Sequence, residues 1–265
     1  SSPTRRSSDL GYVNLIATSF FDLHSRKHTE ELDEMFARFD LKVNCRLLDE
    51  TTSDKVIDFC RASYDMILND SANNRELCEM VCQRTGRELF PIPIPVGLYD
   101  YEEWLQRIGD LTGKQDRARE EIERAEAEYD RFIEQHKTRF KGKKIMILNK
   151  LSSNVDWLID LLLDLEADLV KVACQVSPRK KKTGVVSRHI DMITQDYDSE
   201  QMKEDIEKDR PDMIISDIAR PNDGIRFARV GKVGLGLGPS LDYMEYLENI
   251  MRLPNDEGWK KGRLE

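Results

Sequence analysis

Long apolar runs are missing from this 265-residue sequence. A membrane-spanning helix needs roughly 20 consecutive apolar residues. The greasiest stretch here, Leu158 to Leu165, is broken by Asp160 and Asp164 at helical spacing. A basic surplus is missing too. The net charge is −9, which argues against nucleic acid as a main partner, because phosphate binding needs a basic face. The five cysteines, Cys45, Cys60, Cys78, Cys82 and Cys174, form no Cys-x-x-Cys pair, and their number is odd. Nothing resembles a signal peptide, so reduced thiols in a cytosolic protein are expected, without a membrane partner. No Gly-x-x-x-x-Gly-Lys-Ser/Thr loop, His-Glu-x-x-His or Gly-x-Ser-x-Gly occurs. The Gly-Leu-Gly-Leu-Gly run at 234–238 lacks the spacing of a dinucleotide fingerprint and follows the last strand rather than the first.

What is present is a regular alternation of apolar strands and amphipathic helices. The first series expects strands over 12–17, 41–48, 65–68 and 88–94. Between them come a helix capped by Thr29 with Leu32, Met35, Phe36 and Phe39 inward, and a short one capped by Thr52 or Ser53 with Val56, Ile57 and Cys60 inward. A third carries Leu77, Met80 and Val81 and ends at Gly86. The second series expects strands over 144–148, 168–174, 213–216 and 232–235. Its helices carry Trp157, Leu158, Leu161, Leu162 and Leu165, then Met202 and Ile206 behind a Ser199 cap, then residues 222–229. The third strands correspond, DMILNDSANN against DMIISDIARPND. Strands alternating with helices imply parallel sheets with right-handed crossovers.

The expected fold is therefore α/β, with two Rossmann-like three-layer domains at 11–99 and 142–239. Residues 1–10 read as a disordered or foreign lead-in, and the strand beginning so soon after them suggests that an earlier part of the chain is missing. A helical connector fills 100–141, with helices at 100–111 and 116–140, and 240–265 holds a C-terminal helix that folds back. The longer connector helix has a single inward stripe, Ala118, Ile122, Ala125, Tyr129, Phe132 or Ile133, His136 and Phe140, on which His136 reads as a packed histidine. Arg117–Glu121 and Glu120–Arg124 pairs would decorate its other faces.

Parallel sheets bind ligands outside the carboxyl ends of their strands. Those ends are polar in both series. The first offers Ser19, His24, Asn69, Asp70 and Ser71; the second offers Asn149, Lys150, Ser216 and Asp217. Facing rims of this kind would form a cleft. Asp, Asn and Ser at such places also serve as helix caps. Cys78 and Cys82 fall one helical turn apart, which suits packing or, as a pair, metal ligation. The one basic cluster, Arg179, Lys180, Lys181 and Lys182 with Arg188 and His189, lies after a strand and suits a carboxylate or phosphate clamp, or an acidic partner.

In this order, YVNLIATS, LKVNCRLLDETTSDKV, PIPIPVGLYDYEEWLQRIGDLTG, FKGKKIMILN, RPDMIISD and GPSLDYMEYLENIM resemble the nitrogenase component 1 family over roughly residues 11–260. The resemblance implies three Rossmann-like domains per subunit, of which the second and third are present. It also implies an iron–sulfur cluster in the full-length protein, with ligands outside this fragment. The family's metal-cluster Cys would fall at Asn69 or Asp70, and its His within GKVGLGLGPS; neither residue type is there. The resemblance therefore points to a nitrogenase-like oxidoreductase of a tetrapyrrole-like or other non-dinitrogen small-molecule substrate. Its partners would be a paralogous or identical component 1 subunit and an ATP-hydrolysing iron–sulfur reductase. His24, Asp70 and Asp217 are the candidate proton-handling residues, and Ser19, Asn69, Ser71, Asn149, Lys150, Ser216, Arg179, Lys180 and Lys181 the candidate substrate contacts. A cofactor-assembly scaffold of the same family, or a two-lobed glycosyltransferase or solute-binding protein, are the alternatives.

Overall fold

The computed structural model describes residues 11–16, 26–47, 52–67, 72–90, 95–150, 155–175, 187–217, 225–230, 233–234 and 236–253. The chain divides into two compact units, Ser1–Glu128 with Gly234–Pro239, and Tyr129–Val233 with Ser240–Glu265. Among the described residues no helix is long and apolar enough to cross a membrane.

The first unit runs β1 (Tyr12–Ile16), α1 (Arg26–Ala37), β2 (Lys42–Arg46), α2 (Ser53–Ile57), a 3-10 turn at Asp58–Arg61, β3 (Tyr64–Ile67), α3 (Ala72–Thr85) and the short β4 (Glu88–Leu89). Its sheet has the order β2-β1-β3-β4 and is parallel throughout. Val13 to Ile16 are buried on both faces, as a central parallel strand requires. On one side Ile16, Cys45, Phe59, Ile67 and Cys78 form a core cluster. α4 (Leu98–Thr112) and α5 (Gln115–Phe140) follow. Phe36 and Phe39 meet Trp104 of α4 edge-on, with ring centroids 5.7 and 6.4 Å apart. The turn between α4 and α5 depends on two glycines. Gly113 has φ +69°, and a Cβ on Gly109 would lie 2.6 Å from the Ala118 methyl.

Three expectations change in this unit. α1 starts at Arg26, so Thr29 lies inside the helix rather than capping it. α2 turns its apolar residues outward, with Val56 52% and Ile57 77% exposed and Cys60 exposed, because Phe59 of the next turn fills the core instead. In α3 Leu77 and Val81 pack against this core as expected, but Cys78 and Cys82 are buried more deeply and Met80 is 45% exposed. Of the expected strand at 88–94, residues 91–94 lie outside the described residues. Gly86 does end α3, at φ +69°. On α5, Glu121 pairs with Arg38 (2.8 Å) and with Arg124.

The second unit takes up α5 from Tyr129 and adds β5 (Lys144–Lys150), α6 (Asp156–Asp164), β6 (Asp168–Gln175), a 3-10 turn at Ile190–Met192, β7 (Ile193–Gln195), α7 (Ser199–Asp209), β8 (Met213–Ser216), β9 (Arg226–Arg229) and α8 (Gly238–Arg252). Its parallel sheet has the order β7-β6-β5-β8-β9. Met146, Leu148, Ala173, Tyr197, Ile206 and Ile214 form a core cluster, and α6 buries Trp157, Leu158, Ile159, Leu161 and Leu162. β2-β1-β3-β4 of the first unit thus match β6-β5-β8-β9, and the similar strands DMI and DMII take the same place beside the first strand. β7 is an added edge strand that the sequence pattern did not announce.

The expected helix at 222–229 is overturned. Arg226–Arg229 is a strand, paired with Met213–Ser216 along its length. β8 needs a partner for its outer backbone groups, and that demand outweighs the helical reading of a short segment. Val233 is not in a strand, and Lys232 and Leu235 lie outside the described residues. The α7 cap is Asp198 rather than Ser199. Its carboxylate accepts from the backbone N–H groups of Glu200 (2.8 Å) and Gln201 (2.9 Å), and Gln201 Oε1 accepts from Asp198 N–H.

Candidate functional site

The strand order of the second sheet reverses at β5, which neighbours β6 on one side and β8 on the other. That is the switch point at which open parallel sheets place ligands. Asn149 and Ser216 stand at its carboxyl edge, 0% and 1% exposed, and Asp217 follows directly, half-buried. The register sets Asn149 beside Cys174 and Leu148 beside Ser216. Lys150 ends β5. Three residues expected from the sequence, Asn149, Ser216 and Asp217, therefore share one edge.

Two further residues belong to this edge and were not singled out beforehand. Cys174 is buried, and its thiol is pushed up to about 11 by burial first and then by the charges of Asp217 and Asp156. At neutral pH it is a neutral thiol, a weak donor rather than a nucleophile. Asp156 opens α6 and is 5% exposed. Its Oδ1 accepts from Ser187 Oγ (2.5 Å) and its Oδ2 from the Arg188 backbone N–H (2.9 Å). One turn on, Asp160 holds His189 Nε2 at 2.5 Å through Oδ1 and the Arg188 guanidinium through Oδ2. Arg188 and His189, expected from the sequence to join a clamp for an outside carboxylate, phosphate or acidic partner, pair instead with Asp160 of the same chain.

Ser19, His24, Asn69, Asp70 and Ser71 lie outside the described residues, as do Arg179, Lys180 and Lys181. The first unit instead shows a buried polar network away from its carboxyl edge. Asn14 Nδ2 donates to Asp65 Oδ1 (2.8 Å) and to the Phe59 carbonyl (2.9 Å). Asn44 donates to Asn14 Oδ1 (2.9 Å) and Arg87 Nε to Asp65 Oδ1 (2.9 Å). Cys82 Sγ donates to Asp65 Oδ2 (3.5 Å), and Arg87 Nη1 reaches the Ala62 carbonyl. Arg87 Nη2 is buried without a hydrogen-bond partner, but the remaining groups named are paired, and the network welds three strands to the end of α3; its role is structural.

Iron–sulfur clusters need several thiolates. The described cysteines do not fit one. Burial, then Asp65, pushes Cys82 up to about 12; Cys45 and Cys78 sit in the apolar core, and Cys60 is exposed. Among the described residues no group of three or more His, Cys, Asp or Glu is arranged to hold a metal ion. His136 is packed as expected. It stacks on Phe132 (4.1 Å between centroids), and its Nδ1 lies 2.5 Å from Glu248 Oε2.

The family model described as "Nitrogenase component 1 type Oxidoreductase" matches residues 2–232. No curated protein is similar enough in sequence to match. Among solved structures, "Nitrogenase Cp1 at pH 5" aligns with a TM-score of 0.67 at 15% identity, over 96% of this chain and 58% of its own. "Nitrogenase Cp1 at pH 6.5" aligns with 0.66 at 14%, over 96% and 60%. An ABC transporter substrate-binding protein from Listeria monocytogenes EGD-e aligns with 0.55 at 8%, over 91% of this chain and 98% of its own. At these identities the likeness shows the fold alone. The chain spans 58% and 60% of the two nitrogenase chains.

Proposed function

Because the chain belongs to the nitrogenase component 1 type oxidoreductase family, we propose that it forms part of a reductase subunit acting on a small molecule other than dinitrogen. Its partners are a paralogous or identical component 1 subunit and an ATP-hydrolysing iron–sulfur reductase. The observation that carries this reading is the make-up of the β5–β8 edge. It joins a buried amide (Asn149), a buried hydroxyl (Ser216), a half-buried carboxyl (Asp217) and a thiol kept neutral (Cys174). These groups bind by hydrogen bonds and move protons. The stretch GKVGLGLGPS, without His or Cys, supports the same reading.

In this scheme Asp217 hands a proton to the substrate as it is reduced, and Asn149 and Ser216 orient it. Lys150, which ends β5, completes the contacts at this edge. Proton transfer needs hydrogen-bond reach, directly or through one water. Arg179, Lys180 and Lys181 neutralise substrate carboxylates, which favours a tetrapyrrole bearing ionised propionates. A cluster expected of the family would be held by residues other than the described cysteines.

The test uses the complete protein, purified anaerobically and assayed with its ATPase partner. ATP-dependent reduction of a propionate-bearing tetrapyrrole is expected. Asp217→Asn should lower kcat by about a hundredfold, the usual scale of general acid–base catalysis. Reversing the charges of Lys180 and Lys181 should raise KM. Dinitrogen reduction would overturn the reading, as would wild-type kcat in Asp217→Asn. A stably bound cofactor without turnover would identify a scaffold instead.

A further inference from the structure

We propose that Tyr243 of α8 is a positioning residue of the β5–β8 edge: its hydroxyl holds the carboxyl end of β9 and, through that strand, the end of β8 that carries Ser216 and Asp217. Tyr243 Oη donates to the Arg229 carbonyl at 2.8 Å. Arg229 ends β9 and stands opposite Ser216, the last residue of β8. One residue on, the Val230 N–H donates to the Ser216 carbonyl at 3.1 Å, so the two strands stay bonded up to the point where Asp217 begins. β9 is the outer strand of this sheet. Backbone groups of successive strand residues face opposite sides, so the Arg229 carbonyl faces away from β8, where an edge strand leaves its acceptors without a ladder partner. The tyrosine supplies that partner.

The other flank of the edge holds Tyr243 in its own place. Its ring meets Trp157 edge-on, with centroids 5.5 Å apart and planes at 80°, and both rings are buried. Trp157 follows Asp156 in the first turn of α6, and Asp156 is close enough to Cys174 to raise its thiol. One side chain therefore ties the start of α6, which comes after β5, to the end of β9, which lies beside β8. Between those two ties stand the strand ends that carry Asn149, Ser216 and Asp217. A phenol suits the task, because its ring packs while its hydroxyl reaches a polar partner. This inference rests on the reading that this edge handles the substrate. Tyr243 touches no reacting atom in that reading; it acts through Arg229 and Ser216 on where Asp217 stands.

Tyr243→Phe removes the hydroxyl and keeps the ring. Hydrogen exchange by mass spectrometry, on peptides covering 213–217 and 226–230 of the complete protein without substrate, should be about tenfold faster in this variant, the scale of leaving one sheltered carbonyl unsatisfied. Tyr246→Phe is the comparison. That ring lies 5.7 Å from Tyr243 on the same helix and is exposed, and exchange in this variant should match wild type. Unchanged exchange in Tyr243→Phe, or the same increase in Tyr246→Phe, would overturn the hold on β9. Steady-state kinetics with a propionate-bearing tetrapyrrole and the ATPase partner then test the positioning role. In Tyr243→Phe kcat should fall by about tenfold with KM held, because a displaced proton donor slows the chemical step more than it weakens binding. A tyrosine that served the fold alone would lower Tm and leave kcat per folded molecule unchanged, so faster exchange with wild-type kcat would refute the role. A wild-type protein without turnover would overturn the proposed function and the positioning role with it, while the exchange result would still decide the hold on β9.

Discussion

Replacing Arg87 by Met should loosen the first unit far more than the loss of one surface ion pair would. The guanidinium is 6% exposed in its side chain and its partner Asp65 is 0% exposed, with Nε 2.9 Å from Oδ1. It also reaches the Ala62 carbonyl and lies over the Phe59 ring, 5.6 Å from the centroid. After the substitution, Asp65 retains Asn14 at 2.8 Å and Cys82 at 3.5 Å among these partners, both neutral donors. Breaking a buried pair by removing one partner costs about 3–5 kcal/mol, because a charge is left without compensation. The assay is hydrogen exchange at the amides of β1 and β3. A loss of that size speeds exchange through the shared opening by about a hundredfold to a few thousandfold. The informative comparison is Asp65→Asn combined with Arg87→Met, which removes both charges. Replacing a buried pair as a whole is often close to neutral, so the double variant should exchange more slowly than Arg87→Met alone. A change below about threefold in Arg87→Met, or a double variant that exchanges as fast as the single, would refute the reasoning.

Brief alkylation with iodoacetamide at pH 8 should modify Cys60, the exposed thiol, and leave Cys45, Cys78, Cys82 and Cys174 intact; peptide mass mapping showing early modification of Cys82 would contradict its burial and its raised pKa of about 12. For Glu248, burial pushes the carboxyl up, but the bond to His136 and the charges of Arg139, Arg252 and His136 outweigh it, so its pKa lies below the ordinary value. A depressed carboxylate contributes stability that is present above the unfolded-state pKa of about 4.3 and is lost as pH falls through the lower folded value. Urea unfolding of the wild type should therefore weaken more steeply below that range than unfolding of Glu248→Gln, which should itself cost about 1–3 kcal/mol at pH 7; parallel pH profiles would rule the linkage out.

Much of the architecture was legible because parallel strands are short apolar runs and their helices repeat at 3.6 residues. Met213–Ser216, Lys144–Leu148 and Trp157–Leu162 carry those patterns plainly. The expected edge residues Asn149, Ser216 and Asp217 were found by counting to the end of each apolar run. Failures came where a neighbour decides. Arg226–Arg229 became a strand because β8 offered it unpaired backbone groups. Val56 and Ile57 face outward while Phe59 occupies the core. Cys174 read as the end of a strand, and only its neighbours Asp156 and Asp217 make it part of an edge.

By itself, then, the order of residues determined the strand–helix alternation, the doubled β-α-β unit and the polar character of the strand ends, since each follows from local periodicity and composition. Tertiary structure alone decided which charges meet: Asp65 with Arg87 across 22 positions, and Asp160 with His189 across 29. Periodicity acts over a few residues, whereas partnership between distant side chains depends on where the sheets bring them, and that is settled only when the backbone has closed.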